Sequence, residues 1–405
     1  MFASDLAWGK KIFPAPLNTV YLDNAATTQI PQTVISEMDE YLHHHNANIK
    51  RGTYNLAVEA TSLYEKAREG VKDFIKASRN EEIIFVRNTT EALNLVAYSW
   101  GLHNLGPEDE ILISIVEHHS NTLPWRMVAS KTGATIRYIY CERDGAITED
   151  WFKRNITNKT KLVCMTHLSN VFGRIYDLKK FAEISHEAGA IFVADGAQAV
   201  GHIPVDVRDI DVDFYAFSGH KMYGPMGIGV LYGKKSLLSS MDPFLLGGDM
   251  IDYVSCNSVE WAGLPEKFEA GTPNVAGAIG LYAAINTIKT IGHNFISEYE
   301  DYLVETAMYE MRKIGHVRIL GSPDPREHKG IISFNVDDVH PHDVVAIFDD
   351  EDICLRAGYH CAQPLHEYLN EHGSVRISVA YYNNYDDIER FLEVLRSVRG
   401  RMGRN

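Results

Sequence analysis

The sequence predicts an α/β protein, with a large domain built on a mostly parallel sheet and a smaller α+β domain after it. Three observations carry this. Short apolar runs, bounded by polar or charged residues, alternate with helix-periodic stretches through the middle of the chain. That alternation implies parallel strands joined by crossover helices and covered on both faces. Beyond about residue 280 the pattern changes to a long helical stretch, two strands and a closing helix.

Taken in order, Ile83-Ile84-Phe85-Val86, Ile111-Leu112-Ile113-Ser114, Leu162-Val163-Cys164-Met165 and Ile191-Phe192-Val193-Ala194 read as strands. Helical periodicity separates them, at residues 90–100 and 178–188. Phe214-Tyr215-Ala216-Phe217 and Ile228-Gly229-Val230-Leu231-Tyr232 read as two further strands flanking a turn that ends in Lys221. Residues 283–313 read as a long helix, residues 331–336 and 375–379 as strands, and residues 386–398 as the closing helix. The expected division is a large domain over 20–285 and a small domain over 1–19 and 286–405.

The chain has 405 residues, 45% hydrophobic and 23% charged, with a net charge of −15. This acidity argues against nonspecific nucleic-acid or anionic-membrane binding, while leaving room for a local basic phosphate site. No apolar run approaches a membrane span, and residues 1–18 lack a signal-peptide or transit pattern. The expected location is the cytoplasm. Five cysteines form no CxxC pair, so neither a disulfide framework nor a cysteine-rich zinc site is expected, and no metal is predicted.

Polar residues cluster just past the strand ends, where open α/β sheets bind ligands. Thr89-Thr90-Glu91 opens a helix after the first strand. Its hydroxyls and free N–H groups suit a phosphate, and Thr89 or Thr90 equally suits a plain helix cap. His118 follows the next strand; a flat imidazole there can stack on an aromatic ring, bind metal or simply be a satisfied polar group. Asn170 follows the third strand, and Asp195 and Gln198 the fourth. Ser218-Gly219-His220-Lys221 ends a small polar turn. A lysine so placed, with an aspartate one strand earlier, is what pyridoxal phosphate chemistry requires: the amine forms a Schiff base and the carboxylate keeps the pyridine nitrogen protonated.

The series Asp23-Asn24-Ala25-Ala26, Thr89-Thr90-Glu91, Glu117-His118-His119, Ser169-Asn170, Asp195-Gly196-Ala197-Gln198, Ser218-Gly219-His220-Lys221, Gly271-Thr272-Pro273-Asn274 and Arg356-Ala357-Gly358 to Cys361 resembles the cysteine desulfurases. These are class V, fold-type I pyridoxal phosphate enzymes, and the likeness is strongest to the SUF-type (group II) desulfurases, which are similar to selenocysteine lyases. The resemblance implies a seven-stranded large sheet and a homodimer. It also implies roles. Lys221 would form the Schiff base, Asp195 would pair with the ring nitrogen and Gln198 with the phenolic oxygen. His118 would stack on the ring and assist proton transfer. Thr89, Thr90, Ser218 and His220 would hold the phosphate with Thr272 of the partner subunit. Asn170 would lie near substrate and cofactor.

Cys361 lies in a loop marked by Gly358 and Pro364. A thiolate there could take sulfur from an activated substrate cysteine, leaving a persulfide and alanine; otherwise Cys361 would be a buried structural residue. Cys354, in an apolar context, reads as structural. Arg376, on a strand, can grip a carboxylate through paired hydrogen bonds or serve in a surface salt bridge; the resemblance implies the former, with Arg356 assisting. Two departures from the family pattern are Tyr359 and Lys50, each where relatives often carry histidine. His340-Pro341-His342-Asp343 resembles a motif of desulfurases that donate sulfur to a zinc-containing, scaffold-like acceptor, with His342 as the zinc-capturing candidate; a histidine-rich helix cap is the simpler reading. The expected activity is a pyridoxal 5'-phosphate-dependent L-cysteine desulfurase serving iron–sulfur cluster assembly. The alternatives are a selenocysteine lyase, another class V C–S lyase or aminotransferase, and a cofactor-free sulfur carrier.

Overall fold

The computed structural model describes Phe13 and residues 19–404. The large sheet has seven strands: β1 (Ile83–Val86), β2 (Glu110–Ser114), β3 (Thr135–Ile139), β4 (Thr160–Thr166), β5 (Ile191–Asp195), β6 (Phe214–Ser218) and β7 (Gly229–Gly233). Their order across the sheet is β1-β7-β6-β5-β4-β2-β3. Only β7 runs antiparallel to its neighbours.

Apart from the edge strand β3, the strands are mostly apolar because both faces are buried, and successive residues feed two separate cores. Phe85, Leu112, Val163, Phe192, Tyr215 and Val230 enter one. Ile84, Ile111, Leu162, Val193, Phe214 and Leu231 enter the other. Helices Asn55–Phe74, Leu178–Glu187 and Val275–Ile291 cover the first face, and Thr89–Val96 and Leu123–Thr132 the second. The edge strand β3 pairs only with β2 and has mostly half-exposed side chains, so it offers no apolar run to a reader of the sequence.

The long helix expected over 283–313 is two helices, Val275–Ile291 and His293–Met311, bent by 77°. Gly292, at φ 90°, takes a backbone conformation that ends the first helix. The first helix begins earlier than expected because Asn274 caps it, accepting the N–H of Gly277. The boundary placed at 285 therefore falls inside a helix.

The smaller sheet is antiparallel, with β8 (Val317–Ile319), β9 (Ile331–Val336), β10 (Arg356–Gly358) and β11 (Ser374–Ser378) in the order β8-β9-β11-β10. Helices Pro341–Asp349 and Tyr385–Arg401 pack against it through Phe348 and Phe391, whose ring centroids lie 5.3 Å apart. Val20–Tyr21 pairs in parallel with Ile353–Cys354. The expected packing of residues 1–19 on this domain falls outside the described residues, except at residue 19 and at Phe13, which touches Tyr382 at 4.4 Å between ring centroids.

Candidate active site

The carboxyl ends of the large sheet and one edge of the small sheet enclose a cavity of about 360 Å³. Each contributing strand ends in a turn that lifts a polar residue from the apolar sheet. Thr89 and Thr90 come from the turn after β1, His118 from that after β2 and Asn170 from that after β4. Asp195 and Gln198 follow β5; Ser218, His220 and Lys221 end β6. The small domain adds Arg356, Cys361 and Arg376. Thr272 and His342 do not line this cavity; both are exposed.

The helix Thr89–Val96 is capped by Asn88, whose side chain accepts the N–H of Glu91 at 3.0 Å. The capping role expected of Thr89 or Thr90 is thus taken by their neighbour, and both threonine hydroxyls pair with serine hydroxyls instead. Thr89 Oγ1 lies 2.6 Å from Ser218 Oγ, which also accepts the Thr89 N–H at 2.8 Å. Thr90 Oγ1 lies 2.7 Å from Ser120 Oγ. The result is a cup of hydroxyls at a helix N-terminus.

Lys221 faces the cavity from a short turn, Gly219–Lys221. Burial lowers its pKa, and the neighbouring charge of Asp195 opposes that shift. Asp195 is buried, and burial raises its carboxyl above the usual range, against the Ala197 N–H, which donates to it at 2.9 Å, and the charge of Lys221. Gln198 is held by donating to the carbonyl of Ala25 at 2.7 Å. His118 is neutral: burial, then the charge of Lys221, lowers its pKa to about 3. The Ser120 N–H donates to its Nδ1 at 3.1 Å, so the proton resides on Nε2. Burial likewise lowers His220, to about 4.

The Cys361 loop belongs to the small domain but is tied to the large one. Asn170 Nδ2 donates to the His360 carbonyl at 2.7 Å, and the His119 N–H to the Cys361 carbonyl at 2.7 Å. His360 and Cys361 both adopt left-handed backbone, with φ 50° and 56°. Cys361 is exposed. His360 is buried and donates Nε2–H to Ser374, at 3.1 Å to the carbonyl. Arg376 is buried; its Nη1 donates to the Asn170 carbonyl at 3.0 Å and its Nη2 to Asp23 at 3.3 Å. Arg376 Nε is buried and has no hydrogen-bond partner among the described residues.

Residues the sequence reading left without a role are Asn88, Ser120, His360 and Asp23. Asp23 stood within the quoted Asp23-Asn24-Ala25-Ala26 run, but its partners lie more than three hundred positions away. Tyr359 is exposed and meets His366 edge to face. Lys50 pairs with Glu266 at 3.4 Å and does not line the cavity.

Residues 20–391 match the model of the aminotransferase class-V family. A probable cysteine desulfurase of Halalkalibacterium halodurans is 46% identical over 97% of this chain and 98% of its own length. A cysteine desulfurase of Haloferax volcanii is 42% identical over 94% of this chain and 89% of its own. Among solved structures, the apo cysteine desulfurase of Thermococcus onnurineus superposes with a TM-score of 0.94 at 40% identity, covering 99% of both chains. The cysteine desulfurase CsdA of Escherichia coli, in its S-sulfonic acid form, superposes at 0.91 with 37% identity over 98% of both. The fold is that of the fold-type I pyridoxal phosphate enzymes. The chain belongs to the aminotransferase class-V family and, within it, to the cysteine desulfurases.

Proposed function

We propose that this protein is a pyridoxal 5'-phosphate-dependent L-cysteine desulfurase that forms L-alanine and a persulfide on Cys361. The observation that carries this reading is the convergence on one cavity of an amine, a buried carboxylate, a buried guanidinium and an exposed loop thiol. The lining fits a phosphorylated pyridine. The hydroxyls of Thr89, Thr90 and Ser218, with His220, suit the phosphate. The Asp195 carboxyl, costly to ionise alone in its buried place, suits a cationic ring nitrogen. Gln198 suits the phenolic oxygen and the flat, neutral ring of His118 suits stacking. The cavity is of the size that holds a small ligand.

When bound, the cofactor supplies an electron sink that activates the substrate's Cα and Cβ positions. The protein's residues do the rest. Desolvated Lys221 keeps more of its amine neutral, as attack on an aldehyde requires. Arg376 offers its guanidinium charge to the substrate carboxylate, with Asn170 alongside and Arg356 nearby. The Cys361 thiolate attacks the substrate Sγ. The new S–S bond forms as the Cβ–Sγ bond breaks; its electron pair stays with the carbon skeleton, which takes a proton at Cβ and departs as alanine. A thiolate of a reductant or an acceptor protein then attacks the outer sulfur.

The sulfur's destination in this reading is an acceptor of the SUF type in iron–sulfur cluster assembly, in the cytoplasm. His342 is exposed at the start of helix Pro341–Asp349, where His340 caps by accepting the His342 N–H at 3.3 Å. Its imidazole, stacked on that of His340 with ring centroids 5.4 Å apart, suits capture of an acceptor's zinc. The enzyme acts as a homodimer. Tyr253, Val254, Val259 and Trp261, all exposed on one hairpin, supply an apolar surface of the kind subunit interfaces cover, and exposed Thr272 would reach the partner's phosphate. The test of the activity is direct: holoenzyme with L-cysteine and a thiol reductant should release alanine and sulfide in equal amounts. Cys361→Ser should retain the cofactor and lose both products. Alanine formation at the wild-type rate by that variant would refute the assignment.

A further inference from the structure

Arg356 and Arg376 stand directly opposite each other across the antiparallel β10–β11 pair. Like charges so placed repel. Between them lies the Asp23 carboxylate. It accepts from Arg356 Nε at 3.2 and 3.1 Å and lies 3.0 Å from Arg356 Nη2. It also accepts from Arg376 Nη2 at 3.3 Å. Its own position is fixed by backbone. Leu22 donates its N–H to Cys354 at 3.0 Å and accepts that of Ser378 at 2.7 Å, and Asp23 bridges Ser378. With Asn170 engaging Nη1, Arg376 is held at two nitrogens and left with one buried, unpartnered donor, Nε.

We propose that Asp23 is a positioning residue for substrate recognition. It cancels the charge of one arginine and fixes the other, so that the subsite presents one net positive charge in a fixed orientation to a single amino-acid carboxylate. This rests on the reading of Arg376 as the carboxylate holder. Asp23 reaches the two arginines from behind the cavity wall; among the described residues that line the cavity the one acidic side chain is Asp195, which lies on the large sheet beside Lys221.

The test uses holoenzyme and two probes, L-alanine, which carries a carboxylate, and ethylamine, which does not. Their dissociation constants are read from the cofactor's visible absorbance. Asp23→Asn leaves the site more positive but removes the tether on Arg376, and if orientation governs recognition it should weaken L-alanine about tenfold, the scale of a disturbed charge-assisted hydrogen bond, and raise the L-cysteine KM in parallel; tighter L-alanine binding would overturn the positioning role. It should leave kcat within about twofold, since ground and transition states lose the same contact, and leave ethylamine unchanged. In an Arg376→Lys background the same substitution should change L-alanine binding less than about twofold, because both residues act through one contact. Equal weakening of both probes, or full additivity with Arg376→Lys, would overturn the proposal. Arg376→Lys with undiminished L-alanine binding would instead remove the carboxylate reading beneath it. Should Asp23→Asn fail to fold, Asp23→Glu serves the same comparison: selective weakening of L-alanine supports the role, and equal change in both probes refutes it.

Discussion

His118, the residue proposed to stack on the cofactor, carries no charge. Burial and Lys221 lower its pKa to about 3, so it is neutral at every pH at which the enzyme is expected to work. The pH profile of kcat/KM between pH 5.5 and 8 should therefore contain no ionisation that disappears in His118→Gln (pH bounds chosen about the ordinary histidine value, roughly 6.5). A rising limb near that value, absent from the variant, would contradict the geometry. Gly196 makes a different demand. A Cβ there would lie 2.1 Å from the Tyr215 ring. Gly196→Ala should destabilise the protein by about 1–3 kcal/mol, as overpacked cores do. It should also loosen the cofactor through the adjacent Asp195, which thermal melting and cofactor retention on dialysis would reveal.

Among the elements, the loop that carries Thr272 has the firmest anchor. Glu269 receives Arg68 through both carboxylate oxygens, at 2.6 and 2.9 Å, with the Tyr64 hydroxyl at 3.0 Å and the Phe85 N–H at 2.8 Å. Arg68 and Glu269 are both buried. Arg68→Met would strand a buried carboxylate, and denaturant melts should show a loss of about 3–5 kcal/mol. At the other extreme stands His186, paired with Asp213 at 2.8 Å, where that hydrogen bond raises the histidine's pKa. A raised histidine stabilises the fold below its unfolded pKa and loses that contribution as pH rises through the folded value. His186→Gln should thus cost about 1 kcal/mol or less at pH 5.5 and nothing once the pH is well above the histidine's folded pKa.

These elements also mark the limit of what the sequence makes legible. Strands buried on both faces announce themselves, and β1, β4, β5, β6 and β7 lie within a residue or two of where their apolar runs predict. The edge strand β3 does not, because half its side chains face water. The residues after each strand were found because polar groups at apolar ends stand out. The break at Gly292 depends on a backbone angle, and the Asn88 cap on which of three adjacent polar residues accepts a backbone N–H of the first turn. Local patterns settle neither. Asp23 lay in plain view as a residue, but its meaning is a tertiary contact, which no local periodicity encodes.

At the scale of the whole molecule, the exposed hairpin and Thr272 make subunit mixing informative. A Lys221→Ala chain retains Thr272, and a Thr272→Asp chain retains Lys221. If each phosphate is completed by its neighbour, combining the two inactive proteins should restore up to about a quarter of native activity, because in random pairing half the dimers carry one intact site of two. Recovery absent from equilibrated mixtures, with heterodimers verified by mass spectrometry, would count against the shared site.

The threading of residues 20–23 between the segments around 354 and 378 also governs the order in which the enzyme can mature. During synthesis the amino-terminal strand emerges long before its partners and has nothing to pair with. The hydrogen bonds that join Asp23 to Arg356 and Arg376 span 333 and 353 positions of the polypeptide. A nascent chain can thus assemble its large parallel sheet first, while the proposed grip on an amino acid closes only once the segment around residue 378 has emerged. A chain cut before residue 353 would lack both the strand partner of Val20–Tyr21 and the two arginines that Asp23 joins.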